Sequence, residues 1–231
     1  MKEKSIFLKV ALLAFVPSFI AMLLYAFLGK MQNSIPSLLL FLICVGGVLF
    51  PFEIYVIRKN DKKLFNKSDL KWWQLVLIVG LLFSFAGLMM VIVTPLEHSL
   101  FSNQIDKLNK IIPAYFSWDS SNLINYSNVM VIITCLFYFL LNVIVYPVIE
   151  EFFFRGVLTN KLERYGYLAP IFVTVVFSLY HFWLPFDNLF RIAVFILPSL
   201  LAYKYKDIRI SIGFHCICNL FSTIIFILGV L

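Results

Sequence analysis

The sequence predicts an all-α fold, a polytopic transmembrane helical bundle of about seven or eight membrane helices. Three observations carry that expectation. Of the 231 residues 62% are hydrophobic and only 13% are charged, with a mean hydropathy of +0.95. A soluble domain carries about 45–50% apolar and about 25% charged residues. Apolar runs long enough to cross a bilayer recur along the whole chain, and basic residues gather between them. With no long polar block, residues 1–231 read as a single integral membrane domain. The formal charge of +7 follows the positive-inside pattern, so it points to the bilayer as partner and not to nucleic acid.

The first span is expected at 5–28. Lys2 and Lys4 precede it as in a secretory signal, but the run is long and ends in Phe27-Leu28-Gly29-Lys30 without a small-residue cleavage site. The second span is expected at 36–57. A basic connection, Arg58 to Lys71, follows it and should be cytoplasmic, with Trp72 and Trp73 at the headgroup level. The third span covers 74–95. The connection 96–127, with Glu97, Asp106 and Asp119 against Lys107 and Lys110, reads as external. A fourth span at 127–146 precedes a helix at 147–164, which either crosses by itself or does not. Spans at 168–184, 189–203 and 210–231 complete the chain, and the basic residues between them repeat the alternation. The resulting localisation is the cell membrane, multi-pass, with a cytoplasmic N-terminus. The four cysteines, Cys44, Cys135, Cys216 and Cys218, have neither disulfide nor metal-ligand spacing and read as small hydrophobes.

Polar residues inside these runs are costly and therefore informative. Glu150 and Glu151 are adjacent, and Arg155 follows one helical turn after Glu151, at ion-pair spacing. Pro147 suits the first turn of a helix, where the dipole favours carboxylates; capping near the interface is thus the plain alternative. His181 ends Phe177-Ser178-Leu179-Tyr180-His181, and His215 stands four residues before Asn219, on one helical face. Each has an ordinary reading as a satisfied core residue or as interhelical glue. Taken together they point elsewhere. If 147–164 and 168–184 form a hairpin turning at Gly166, Glu151 lies fifteen residues before the glycine and His181 fifteen after it, at equal depth. Carboxylates facing an imidazole in a dry bundle make an acid–base site, with one carboxylate held by Arg155 and its neighbour free to take a proton from water. His181 and His215 would sit near opposite faces if 189–203 crossed fully, but that segment is short for the core.

Glu150-Glu151-x-x-x-Arg155, Phe177-x-x-x-His181 and His215-x-x-x-Asn219, in that order, resemble the CAAX protease and bacteriocin-processing (CPBP/Abi) family of intramembrane proteases. The resemblance covers roughly residues 128–225, which it marks as a catalytic core. It implies an intramembrane endopeptidase acting on a membrane-associated peptide or protein, in bacteriocin or pheromone processing or in self-immunity. By that resemblance Glu150 and Glu151 activate the attacking water, His181 orients it or stabilises the oxyanion, and His215 and Asn219 complete the site. Arg155 and Phe177 are orienting residues. Family members are often labelled metalloproteases, and Glu150, His181 and His215 would be the ligands of a divalent metal such as zinc. The preferred reading is a glutamate-activated water with no required cofactor, because no His-Glu-x-x-His helix is present. Phe195-Ile196-Leu197-Pro198-Ser199 departs from the glycine-containing pattern of relatives. The alternative from another class is a noncatalytic membrane regulator or scaffold that binds a partner such as a sensor kinase. A proton-relaying transporter would carry an inverted repeat, and none is visible.

Overall fold

The structure is a computed structural model that describes residues 2–31, 34–60, 68–116, 118 and 120–230. Asp119 and residues 61–67, the centre of the basic connection, lie outside the described residues. Among the described residues seven long helical stretches form the bundle: α1 (Lys2–Met31), α2 (Ser37–Lys59), α3 (Trp72–Ile111), α4 (Asn128–Lys161), α5 (Leu168–Leu179), α6 (Asn188–Tyr205) and α7 (Arg209–Leu228). No strand occurs among the described residues. Six of the helices are long and apolar enough to cross a membrane, and α5 is a shorter apolar helix. Leucines, valines, isoleucines and phenylalanines stand exposed along α1, α3, α4 and α7, as a lipid-facing surface requires.

Polar contacts tie each end of the bundle. At one end Lys161 Nζ donates to Asn60 Oδ1 at 2.7 Å, and Lys206 Nζ to Glu163 Oε1 at 2.9 Å. At that same end Arg209 Nε reaches Asp207 Oδ1 at 2.8 Å, while Ser68 Oγ donates to Asp207 Oδ2 at 2.5 Å. Trp72 and Trp73 begin α3 there, both exposed. At the other end Tyr115 Oη donates to the Ile35 carbonyl at 3.0 Å and Trp118 Nε1 to Tyr25 Oη at 2.9 Å.

Two boundaries differ from the sequence expectation. First, 96–111 continues α3 as helix instead of forming an irregular connection. Its 40 residues reach about 60 Å, twice the hydrocarbon thickness. Glu97, buried within it, receives the backbone N–H groups of Leu189 and Phe190 at 2.9 Å each, so it holds the open N-terminus of α6. Second, the expected helices at 127–146 and 147–164 are one rod. Pro147 would break an α-helix, because it lacks an N–H and its ring meets the preceding turn. Here Phe139–Val145 is wound as a π-helical stretch, with the Tyr146 N–H bonded to the carbonyl of Leu141, five residues back. The extra residue absorbs the proline. A second π stretch, Phe152–Leu158, follows the glutamates. Glu150 and Glu151 therefore lie inside a long helix and not in a first turn, and the capping explanation falls.

Gly166 makes the turn into α5 with φ +58, as the hairpin reading requires, a conformation that glycine adopts without a Cβ clash. α5 then stops inside the bundle. His181 is thus just past a helix end and not within a helix. The backbone freed there is satisfied locally: Leu184 N–H donates to the His181 carbonyl at 2.9 Å, and Ser178 Oγ donates to the Asn188 carbonyl at 2.9 Å. Irregular backbone at this depth is tolerated where it is covered by protein or lines a cavity.

Candidate active site

Glu151 is fully buried, and its Oε1 is shared by two groups. Arg155 Nη1 lies 3.2 Å away along α4, and His215 Nδ1 on α7 lies 3.0 Å away. Arg155 is in turn fixed by packing. Its guanidinium sits 4.2 Å from the Phe177 ring centroid and 5.4 Å from that of Phe195, and its Nε donates to Ser199 Oγ at 3.0 Å. A cation over aromatic faces gains from the ring quadrupoles. Ser199 is thus the side chain of the Phe195–Ser199 stretch that meets Arg155.

Glu150 has different partners. The Tyr180 hydroxyl donates to its Oε1. His181 Nε2 is 4.0 Å from Oε1, and His215 Nε2 is 3.8 Å from Oε2. The Nδ1 atom of His181 lies 2.8 Å from the Phe177 carbonyl, which can only accept, so that nitrogen carries the proton. A neutral His215 whose Nδ1–H points at Glu151 likewise leaves Nε2 as a lone pair. Two imidazoles thus turn their acceptor nitrogens toward one carboxylate. Distances of 3.8 and 4.0 Å are too long for direct hydrogen bonds and suit a bridging water.

Asn219 is placed by the π stretch. In that winding the carbonyl of Asn142 faces residue 147, a proline with no N–H. Asn219 Nδ2 supplies the missing donor at 2.8 Å. Its second N–H stays available, and the residue lines a cavity of about 340 Å³ with Glu150, His181, His215, Trp183 and Arg191. Glu151 is not among the lining residues. The seven residues singled out in the sequence thus form one cluster: Glu150, His181, His215, Asn219 and Phe177 on the cavity, Glu151 and Arg155 behind it. The short α5 brings His181 to the depth of His215, which resolves their expected separation.

Residues 132–221 match the family model for type II CAAX prenyl endopeptidase Rce1-like proteins. Over that stretch the chain is similar to the CAAX-protease (CPBP/Abi) family. No curated protein and no solved structure gives a match. With six helices long and apolar enough to cross a membrane among the described residues, the chain is an integral multi-pass membrane protein, and residues 132–221 are similar to an intramembrane endopeptidase family.

The donor geometry bears on the metal alternative. Among the described residues no group of three His, Cys, Asp or Glu side chains could hold a metal ion. Ligands about 2.0–2.2 Å from zinc at tetrahedral angles stand closer together than the separations of Glu150 from His181 and His215. Glu150 Oε1 is also engaged by Tyr180. Glu150, His181 and His215 do not fit the ion as arranged, and no step is routed through one.

Sequence reading missed two residues of this site. Tyr180 had no signal, being one of 11 tyrosines beside an obvious histidine. Glu53 had one: a lone carboxylate in the second apolar run, the same oddity that flagged the glutamate pair. It is 2% exposed, its Oε2 has no hydrogen-bond partner among the described residues, and it acts electrostatically on Glu150 and Tyr180.

Proposed function

We propose that the protein is an intramembrane endopeptidase that hydrolyses a peptide bond of a membrane-associated peptide or protein with a water activated by Glu150. The observation that carries this is the unequal surroundings of the two glutamates. Glu151 is spent on Arg155 and His215, whereas Glu150 faces the cavity with two imidazole acceptors. A water between Glu150 Oε2 and His215 Nε2 gives its proton to Glu150 as its oxygen attacks the scissile carbonyl carbon. The free N–H of Asn219 stabilises the oxyanion, and His181, through its acceptor Nε2, positions the water. Collapse breaks the C–N bond, and Glu150 returns the proton to the leaving amine. Glu151 holds the His215 tautomer, and Phe177 and Arg155 hold Glu151 and His181 in place.

The residues of this mechanism fall between Asn142 and Asn219, which supports a catalytic core at 128–225 within one membrane domain. Gathering of Lys161, Lys206 and Arg209 at one end supports a cytoplasmic N-terminus, since α1 begins where Phe7 packs on Tyr165. The family match supports a peptide or protein substrate at the membrane, and bacteriocin or pheromone processing or self-immunity is the role we assign. The test is purified protein in detergent with a lipopeptide and leader-peptide library. Cleavage abolished in both Glu150→Ala and His181→Ala is the expected result. Full biological activity in both variants would move the protein to the scaffold class. Chelator inhibition reversed by zinc would overturn the metal-free step.

A further inference from the structure

Arg191 stands one turn into α6 with its side chain on the cavity, and it is the only Lys or Arg among the described lining residues. A guanidinium in an apolar wall is held at a cost of several kcal/mol unless an anion meets it. Arg191 has little. Nη1 reaches the Asn188 Oδ1 at 3.2 Å and the Ser178 carbonyl at 3.4 Å, both long contacts. Nε and Nη2 make no hydrogen bond among the described residues, and Arg191 is in none of the ion pairs within 4.0 Å. The acids that act on it, Glu150 across the same cavity, Asp187 and Glu97, do not close on it as ion pairs. Glu97 spends both oxygens on the Leu189 and Phe190 amides, so it caps α6 and leaves the arginine free. Asp187 acts on Arg191 only electrostatically.

The fork is therefore open toward the cavity. It is near enough to act on His181 and Tyr180, the two residues that flank Glu150. Trp118, Trp183 and Phe41 wall the same space with apolar surface, so the cavity offers greasy walls and one cation beside the reacting groups. Its volume of about 340 Å³ is at the small end of ligand pockets and suits a few residues of peptide.

We propose that Arg191 is a substrate-binding residue that takes a carboxylate of the peptide, bidentate through Nε and Nη2, and so selects substrates with a carboxylate close to the scissile bond. This rests on the endopeptidase reading. The carboxylate comes either from the free C-terminus or from an Asp or Glu side chain. A planar fork in a dry cavity recognises both.

The test uses the full chain in detergent with three fluorogenic peptides of one apolar sequence: a free acid, its C-terminal amide, and the amide with an added internal aspartate. For Arg191→Gln the KM of the carboxylate-bearing substrate should rise at least about tenfold while kcat changes little, with partial recovery in Arg191→Lys. The plain amide should bind poorly to both the native protein and the variant. Dependence seen with the free acid assigns the C-terminus; dependence seen with the aspartate peptide assigns a side chain. Equal KM for acid, aspartate and plain amide overturns the proposal. So does a kcat loss shared by all three, which would make Arg191 an oxyanion group. Binding is read separately by Trp118 and Trp183 fluorescence in Glu150→Gln. Acid-selective binding without cleavage by the native protein sinks the endopeptidase reading and keeps the carboxylate site; cleavage without acid selectivity does the reverse.

Discussion

His215 Nδ1 lies 3.0 Å from Glu151 Oε1, and the same ring turns Nε2 toward Glu150 Oε2 at 3.8 Å. One imidazole thus separates two adjacent carboxylates into one that is paired and one that faces the cavity. Glu150→Gln should lower kcat by at least about a hundredfold, the worth of a general base. Glu151→Gln keeps an acceptor for Nδ1 and should lose about 10–100-fold, as for other orienting partners. Steady-state cleavage by the two folded variants checks the order, and a larger loss in Glu151→Gln would reverse the roles.

The Glu151–Arg155 pair is buried on both sides, at 0% and 3% side-chain exposure. Removing one partner strands a charge, so Arg155→Met should destabilise the protein by about 3–5 kcal/mol. The double variant Glu151→Gln/Arg155→Met should recover much of that stability without recovering activity. Thermal unfolding in detergent reads both; additive losses would mean that the pair does not act as a unit.

Asn219 and Pro147 should be coupled through the Asn142 carbonyl. Asn219→Leu leaves that carbonyl unpaired and should cost about 1–3 kcal/mol. In a Pro147→Ala background residue 147 regains an N–H, and the same substitution should cost less. A double-mutant cycle on unfolding midpoints measures the coupling, and a zero interaction energy would refute the link.

Glu53 carries a buried oxygen with no partner beside Glu150. Glu53→Gln replaces a buried ionisable carboxyl without changing shape and should raise the melting temperature. If activity falls in the same variant, the carboxylate is kept for function at the expense of stability. A lower melting temperature would instead make it structural.

Asp207 ties the α6–α7 turn to Ser68 and Arg209. Burial alone would raise its carboxyl, but hydrogen bonds from Arg209 and Ser68 outweigh that and hold it below the usual carboxylate range. A depressed folded value means that Asp207 contributes stability above the unfolded value, about 3.9, and loses it as pH falls through the folded one. Asp207→Asn should therefore unfold more easily than the native protein at neutral pH, and the difference should shrink as pH falls below about 4. A difference independent of pH would exclude the charge as its cause.

The sequence by itself determined what chemical expense announces. Apolar runs and loop charge specify an all-α membrane bundle, because lipid offers no other partner to backbone groups. Glu150, Glu151, His181, His215 and Asn219 were visible because polar atoms in an apolar run must be compensated. The turn at Gly166 was legible for the same local kind of reason. The tertiary structure alone decided who compensates whom. Whether Pro147 starts a helix or rides inside one depends on a π turn whose freed carbonyl is met from α7, a partner 77 residues away. The halt of α5 before His181 depends on contacts with α6. Arg191 is open because Glu97, on a third helix, caps α6 in place of pairing with it. Such choices are made by long-range neighbours, and periodicity along one segment carries no record of them.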